Sequence, residues 1–100
     1  MIVIQGHFDI HPDDTAAFEA LVVPMQQAST AEAGCVSYVF SKDLETAGRY
    51  RLAECWESED ALGAHFKAPH MATMQAGLKN IRMNGVSVWK HTVTERSKMM

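Results

Sequence analysis

An α+β fold, with one antiparallel sheet carrying its helices on a single face, is what this 100-residue chain predicts. Three observations lead there. Stretches of period-two alternation and stretches of three-and-four apolar spacing succeed one another in the order β-α-β-β-α-β. Helix starters and turn formers (His11-Pro12-Asp13-Asp14, Gly34, Ser58, Asn84-Gly85) fall between those stretches. Hydrophobic residues at 47% and charged residues at 21% suit one compact globular domain and leave no length for a second.

The first strand spans residues 2–10, where Ile4, Gly6, Phe8 and Ile10 alternate. His11-Pro12-Asp13-Asp14 ends it and opens a helix, because proline is tolerated in a first turn and aspartates suit the positive end of the helix dipole. Phe18, Leu21, Val22, Met25 and Ala28 then form one apolar stripe, with a kink expected at Pro24. The helix is expected to close near Glu32-Ala33-Gly34, Gly34 being suited to a left-handed cap.

Cys35 to Ser41 and Tyr50 to Glu57 read as two strands joined by the polar loop 42–49. Closed as a hairpin, they set Tyr38 opposite Glu54 and Val36 opposite Trp56. Val36, Tyr38, Phe40, Leu52, Glu54 and Trp56 then share one bulky face, and Cys35, Ser37, Val39, Ala53 and Cys55 share the other. The bulky face is expected to meet the helices. Ser58 caps the next helix, whose inward stripe is Leu62, His65 and Phe66. Pro69 interrupts it, and a second segment carries Met71, Met74, Leu78 and Ile81. Asn84-Gly85 reads as a turn before a last strand, Val86 to Thr94.

This is the ferredoxin-like split βαβ order. The domain is expected over 1–94, with 95–100 as a flexible polar tail. Its sheet keeps one bare face holding Val39 and Ala53, and a two-fold homodimer is the simplest cover for it.

The formal charge of −3, with nine basic residues and no two adjacent, argues against a nucleic-acid binder. No apolar run approaches a membrane span, and the opening residues lack a secretory signal, so a cytoplasmic protein with no membrane partner is expected. Cys35 and Cys55 form no CxxC pair and read as reduced packing residues. His65 and His70, five apart, are expected on different sides of a helix that Pro69 breaks, with His70 a surface or capping group. No metal site is expected.

The string Glu32-Ala33-Gly34-Cys35 leading to Tyr38, then Glu54-Cys55-Trp56-Glu57-Ser58 with Ala61-Leu62, His65 and Pro69-His70, resembles the antibiotic biosynthesis monooxygenase family, in particular its small quinol-monooxygenase members. The likeness runs from Ile2 to about Val93. It implies a dimeric α+β barrel of two ferredoxin-like protomers, each with an apolar pocket between helices and sheet. It also implies an enzyme, a cofactor-independent oxidoreductase that oxygenates a quinol, anthrone or similar electron-rich phenol, with molecular oxygen as co-substrate and neither flavin, haem nor metal. The family includes haem-degrading members with an asparagine on the first strand and a tryptophan on the second helix. This chain departs from them with Gln5, His7 and His65.

Such chemistry needs a pocket for an aromatic ring, a group to take a phenolic proton, and exclusion of water. His65 has the chemistry for the proton and, with Trp56 and Glu54, forms the expected catalytic set. Glu54 is either functional or paired with Arg51 or Arg82, since a carboxylate within an apolar strand needs a partner. Tyr38, Phe40, Leu52, Phe66 and Met74 are the expected substrate-binding residues, with Met71 beside Met74. Two other readings stand beside this one. A non-oxygenating isomerase of a small dicarbonyl sugar phosphate would draw on Arg49, Arg51 and Lys67. A dimeric small-molecule-binding or stress-response module would bind without turnover.

Overall fold

The computed structural model describes residues 1–100. Strand β1 (Ile2–Ile10) leads through a 3-10 turn (Pro12–Asp14) into α1 (Thr15–Thr30). Strands β2 (Cys35–Lys42) and β3 (Arg49–Trp56) form the hairpin, followed by α2 (Glu59–Phe66), α3 (Pro69–Leu78) and β4 (Met83–Thr92). The sheet order is β2-β3-β1-β4 and every pairing is antiparallel, which is the ferredoxin-like arrangement.

Local chemistry explains the joints. Ser58 caps α2 as expected, its hydroxyl accepting from the Ala61 N–H at 3.1 Å. Asp14, just ahead of α1, accepts from the backbone N–H of Arg82 at 2.8 Å and from its guanidinium, tying the helix start to the entry of β4. Gly34 adopts the left-handed conformation (φ 80°), and a Cβ there would stand 2.6 Å from the Ala61 methyl, so α2 packs directly on this turn.

Four expectations are corrected. Proline and the two aspartates form a separate 3-10 turn, and α1 ends at Thr30, before the Glu32-Ala33-Gly34 turn. Val36 does not join the bulky face. A register shift between Cys35 and Ser37 sets Cys35 opposite Trp56, turning Cys35 toward the core and Val36 to solvent. One extra residue is enough, because strand side chains alternate with period two. Asn84-Gly85 is no turn, because β4 already begins at Met83. A second register shift there pairs Ile10 with Met83 and Asp9 with Gly85, so the extra residue is absorbed within the strand. The fourth correction concerns His65 and His70.

The core lies between the inner sheet face and the helices. Ile2, Ile4, Tyr38, Tyr50, Leu52 and Trp56 supply the sheet side, with Phe18, Val22, Met25, Leu62 and Met74 from the helices. At one end Phe8, Phe18 and Phe40 pack with ring centroids 5.9 Å apart, and Tyr50 lies 4.8 Å from Phe18. The opposite sheet face is bare, with Val39 and Trp89 exposed upon it. No helix is long and apolar enough to cross a membrane.

Candidate functional site

A cavity of about 600 Å³ opens between the inner sheet face and helices α2 and α3. Its floor is Ile4, Phe8, Tyr38, Phe40, Leu52 and Glu54 from the strands. Leu62, His65, Phe66, Met71, Met74 and Leu78 come down from the helices. The space exists because the helices cover the β2 side of the sheet and leave the inner face of β4 uncovered, with Val88 on the cavity wall. On the same wall Lys90 of β4 pairs with Glu59, in the first turn of α2, at 2.7 Å. That ion pair spans from sheet edge to helix.

The cavity brings together His65, Glu54, Tyr38, Phe40, Leu52, Phe66 and Met74, seven of the eight residues expected at the site. Trp56 is the eighth and stands behind the wall. It is fully buried, with its ring 4.6 Å from the His65 ring and its indole N–H donating to Glu54 Oε1 at 2.9 Å. That bond is the partner Glu54 finds in place of the cationic ones considered for it. Arg51 is engaged by Asp43 and Arg82 by Asp14. Burial pushes the Glu54 carboxyl above the usual carboxylate range, against the opposing pull of the Trp56 hydrogen bond and of nearby His65. Burial, followed by the Glu54 charge, pushes the Tyr38 phenol well above its usual range. Its hydroxyl therefore stays a hydrogen-bond donor at any physiological pH.

His65 is 1% exposed, yet it is held by a charge. Glu32 Oε2 lies 2.6 Å from His65 Nδ1 and 2.9 Å from His70 Nε2. A carboxylate only accepts, so each ring nitrogen facing it carries the hydrogen. In the neutral His65 ring this leaves the lone pair on Nε2. The two histidines thus converge on one oxygen, contrary to the expectation that they diverge. A single helix would have separated them. Instead α2 ends at Phe66 and α3 starts afresh at Pro69, so helical angle arithmetic across the break does not apply. His70 nonetheless keeps a partly exposed side chain.

Glu32 is the residue of the candidate site that spacing alone missed. It lies in a turn, outside every apolar stripe, and only its place in the Glu32-Ala33-Gly34-Cys35 string marked it. The Glu59–Lys90 pair was missed as well, since nothing in the sequence links residues 31 positions apart.

The sequence profile described as Antibiotic biosynthesis monooxygenase matches residues 1–77. The chain belongs to this family. A curated relative, the uncharacterized protein sll1783 of Synechocystis, is 33% identical over 69 residues, covering 69% of this chain and 47% of that protein. The chain therefore spans about half the length of the curated relative it matches. Among solved structures, a candidate antibiotic biosynthesis monooxygenase from Deinococcus radiodurans superposes with a TM-score of 0.90 at 24% identity, covering 100% of this chain and 99% of that one. Rv0793 from Mycobacterium tuberculosis gives a TM-score of 0.87 at 26% identity, covering 97% and 98%. A Bacteroides thetaiotaomicron protein described as a possible oxidoreductase gives 0.81 at 17% identity, over 90% of this chain and 94% of that one. These likenesses establish the fold of the family. The chemistry has to be argued from the site.

Proposed function

We propose that this protein is a cofactor-independent monooxygenase that oxidises a quinol, anthrone or similar electron-rich phenol with molecular oxygen. The observation that supports it most is His65: a buried imidazole on the wall of an aromatic-lined cavity, its Nδ1–H fixed on Glu32 and its Nε2 left basic. Phe40, Phe66 and the methionines offer a planar ring an apolar, deformable bed. His65 takes the phenolic or enolic proton, and the resulting anion gives an electron to oxygen. The radical pair combines into a peroxide, which loses water. For an anthrone the balance is anthrone plus O2 to anthraquinone plus H2O, so the substrate supplies every electron. Tyr38 donates toward the developing oxyanion, and Glu54 orders the polar corner through Trp56. The apolar lining keeps water from the intermediates on the side that the helices cover.

A second copy packed on the bare sheet face belongs to the same proposal, as does a reducing, cytoplasmic setting that suits the two free thiols. Oxygen uptake by chelator-treated protein with naphthohydroquinones and anthrones tests the reading, with catalase and superoxide dismutase present to expose autoxidation. Uptake should scale with protein and place one atom of labelled oxygen in the product. His65→Gln should lower kcat by about 10²–10⁴-fold, the usual worth of a general base. A protein-independent rate across the panel refutes the proposal.

A further inference from the structure

The cluster that holds His65 has the composition of a metal centre. Two imidazoles and one carboxylate arrive from three separate elements: Glu32 from the turn after α1, His65 from the last turn of α2, His70 from the first turn of α3. Their donor atoms all lie within 4.8 Å of one another. The only ion-pair partners of Glu32 are the two imidazoles, so no lysine or arginine competes for its charge. We infer that Glu32, His65 and His70 form a binding site for a first-row divalent metal ion such as zinc(II).

The donor set selects the ion. Imidazole nitrogen with a carboxylate suits zinc, iron, cobalt or nickel, whereas calcium and magnesium prefer all-oxygen sites. Ligand bonds of about 2.0–2.2 Å require donors roughly 3–3.5 Å apart. Glu32 Oε2 stands closer than that to both nitrogens, at 2.6 and 2.9 Å, so the ion enters as the carboxylate swings aside. Access does not run through the substrate cavity. Side chains of Glu32 and His70 are partly exposed, and His70 borders a separate depression between α1 and α3, beside Leu21, Pro24 and Thr73.

Coordination has a consequence for the proton chemistry. The ion takes the nitrogen lone pairs that face Glu32, Nδ1 of His65 and Nε2 of His70, so the His65 hydrogen moves to Nε2. The ring nitrogen left to the cavity is then a donor and no longer a base. Metal binding stands apart from the oxygenation reading, but this inhibitory effect rests on it.

The test titrates chelator-treated protein with cobalt(II), followed by its visible absorption, and with zinc(II) by calorimetry. One equivalent per chain is expected. His70→Gln and Glu32→Gln should each weaken binding at least about tenfold, the scale seen when even a supporting group is lost from a metal site. His7→Gln and His91→Gln should leave it unchanged, and circular dichroism confirms that each variant folds. Failure to bind one equivalent, or binding that survives His70→Gln, overturns the site. In the oxygen-uptake assay, zinc should silence the wild type, and whatever uptake His70→Gln retains should be insensitive to it. Stoichiometric zinc with undiminished uptake overturns the inhibitory claim. Zinc bound by a protein that oxidises no phenol refutes the oxygenation reading alone.

Discussion

Replacing Glu54 by glutamine and by methionine separates what its charge does from what its oxygen does. Glutamine keeps an acceptor for the Trp56 indole N–H, now 2.9 Å from Glu54 Oε1, and removes the charge. Methionine is of similar length, neutral, and offers no comparable acceptor. The two variants therefore differ chiefly in whether the buried indole N–H is satisfied, and an orphaned buried donor costs about 1–3 kcal/mol. Glu54→Met should be less stable than Glu54→Gln by that amount, or about 4–8 °C in Tm for each kcal/mol in a domain of this size. The charge shows in the comparison with wild type. Burial raises the folded pKa of Glu54 above its ordinary 4.5, so the native carboxyl resists ionising more than the unfolded one. Its contribution to stability is fully present below the unfolded pKa and is lost as pH rises through the folded one. Urea unfolding at pH 5 and pH 8 should show Glu54→Gln gaining on wild type at the higher pH. A glutamine variant that loses ground as pH rises, or a methionine variant as stable as it, would refute this account of the buried pair.

The acid limb should have the opposite sign. Asp14 beside Arg82, and Asp43 under the backbone N–H groups of Glu45 and Thr46 and the Arg51 guanidinium, are both held down to about 2 from an ordinary 3.8. Stability from both is present above pH 4 and lost as pH falls toward 2, so Asp14→Asn and Asp43→Asn should flatten acid unfolding there, and an unchanged acid slope counts against it. Spectrophotometric titration should show no tyrosinate through pH 10, because Tyr50 is pushed up to about 12 by burial and its bond to Glu19, and Tyr38 is pushed higher still. A transition near pH 10 in folded protein would contradict both placements. Gly6→Ala should destabilise by at least about 1–3 kcal/mol, because a Cβ there would stand 2.0 Å from the Ser87 carbonyl oxygen, backbone that moves only with β4. Denaturant midpoints equal to wild type would mean the two strands part more readily than their pairing suggests.

Element order and type were legible in the sequence because they rest on local periodicity and on capping chemistry. The Phe18-Val22-Met25 stripe, the Ser58 cap and the alternation of β1 each declare themselves within a few residues. Pairing Tyr38 with Glu54 across the hairpin was legible too, since the length of the loop sets the register over most of its span. The bulge at Cys35–Ser37 was not, because inserting one residue into a strand changes no periodicity on its own side of the insertion. Nor was Asn84-Gly85 within β4, where pairing with Asp9 holds Gly85 in the ladder and Asn84 is the extra residue at the register shift. The site divides the same way. Alternation and helical stripes put His65, Glu54, Tyr38 and Phe40 on facing surfaces, and a cavity between them followed. Only the tertiary structure set Trp56 behind the wall and joined Glu32 to His65 and His70. Those contacts cross a helix break and a gap of 33 residues, and their geometry depends on how α2 and α3 pack on the sheet rather than on any local rule.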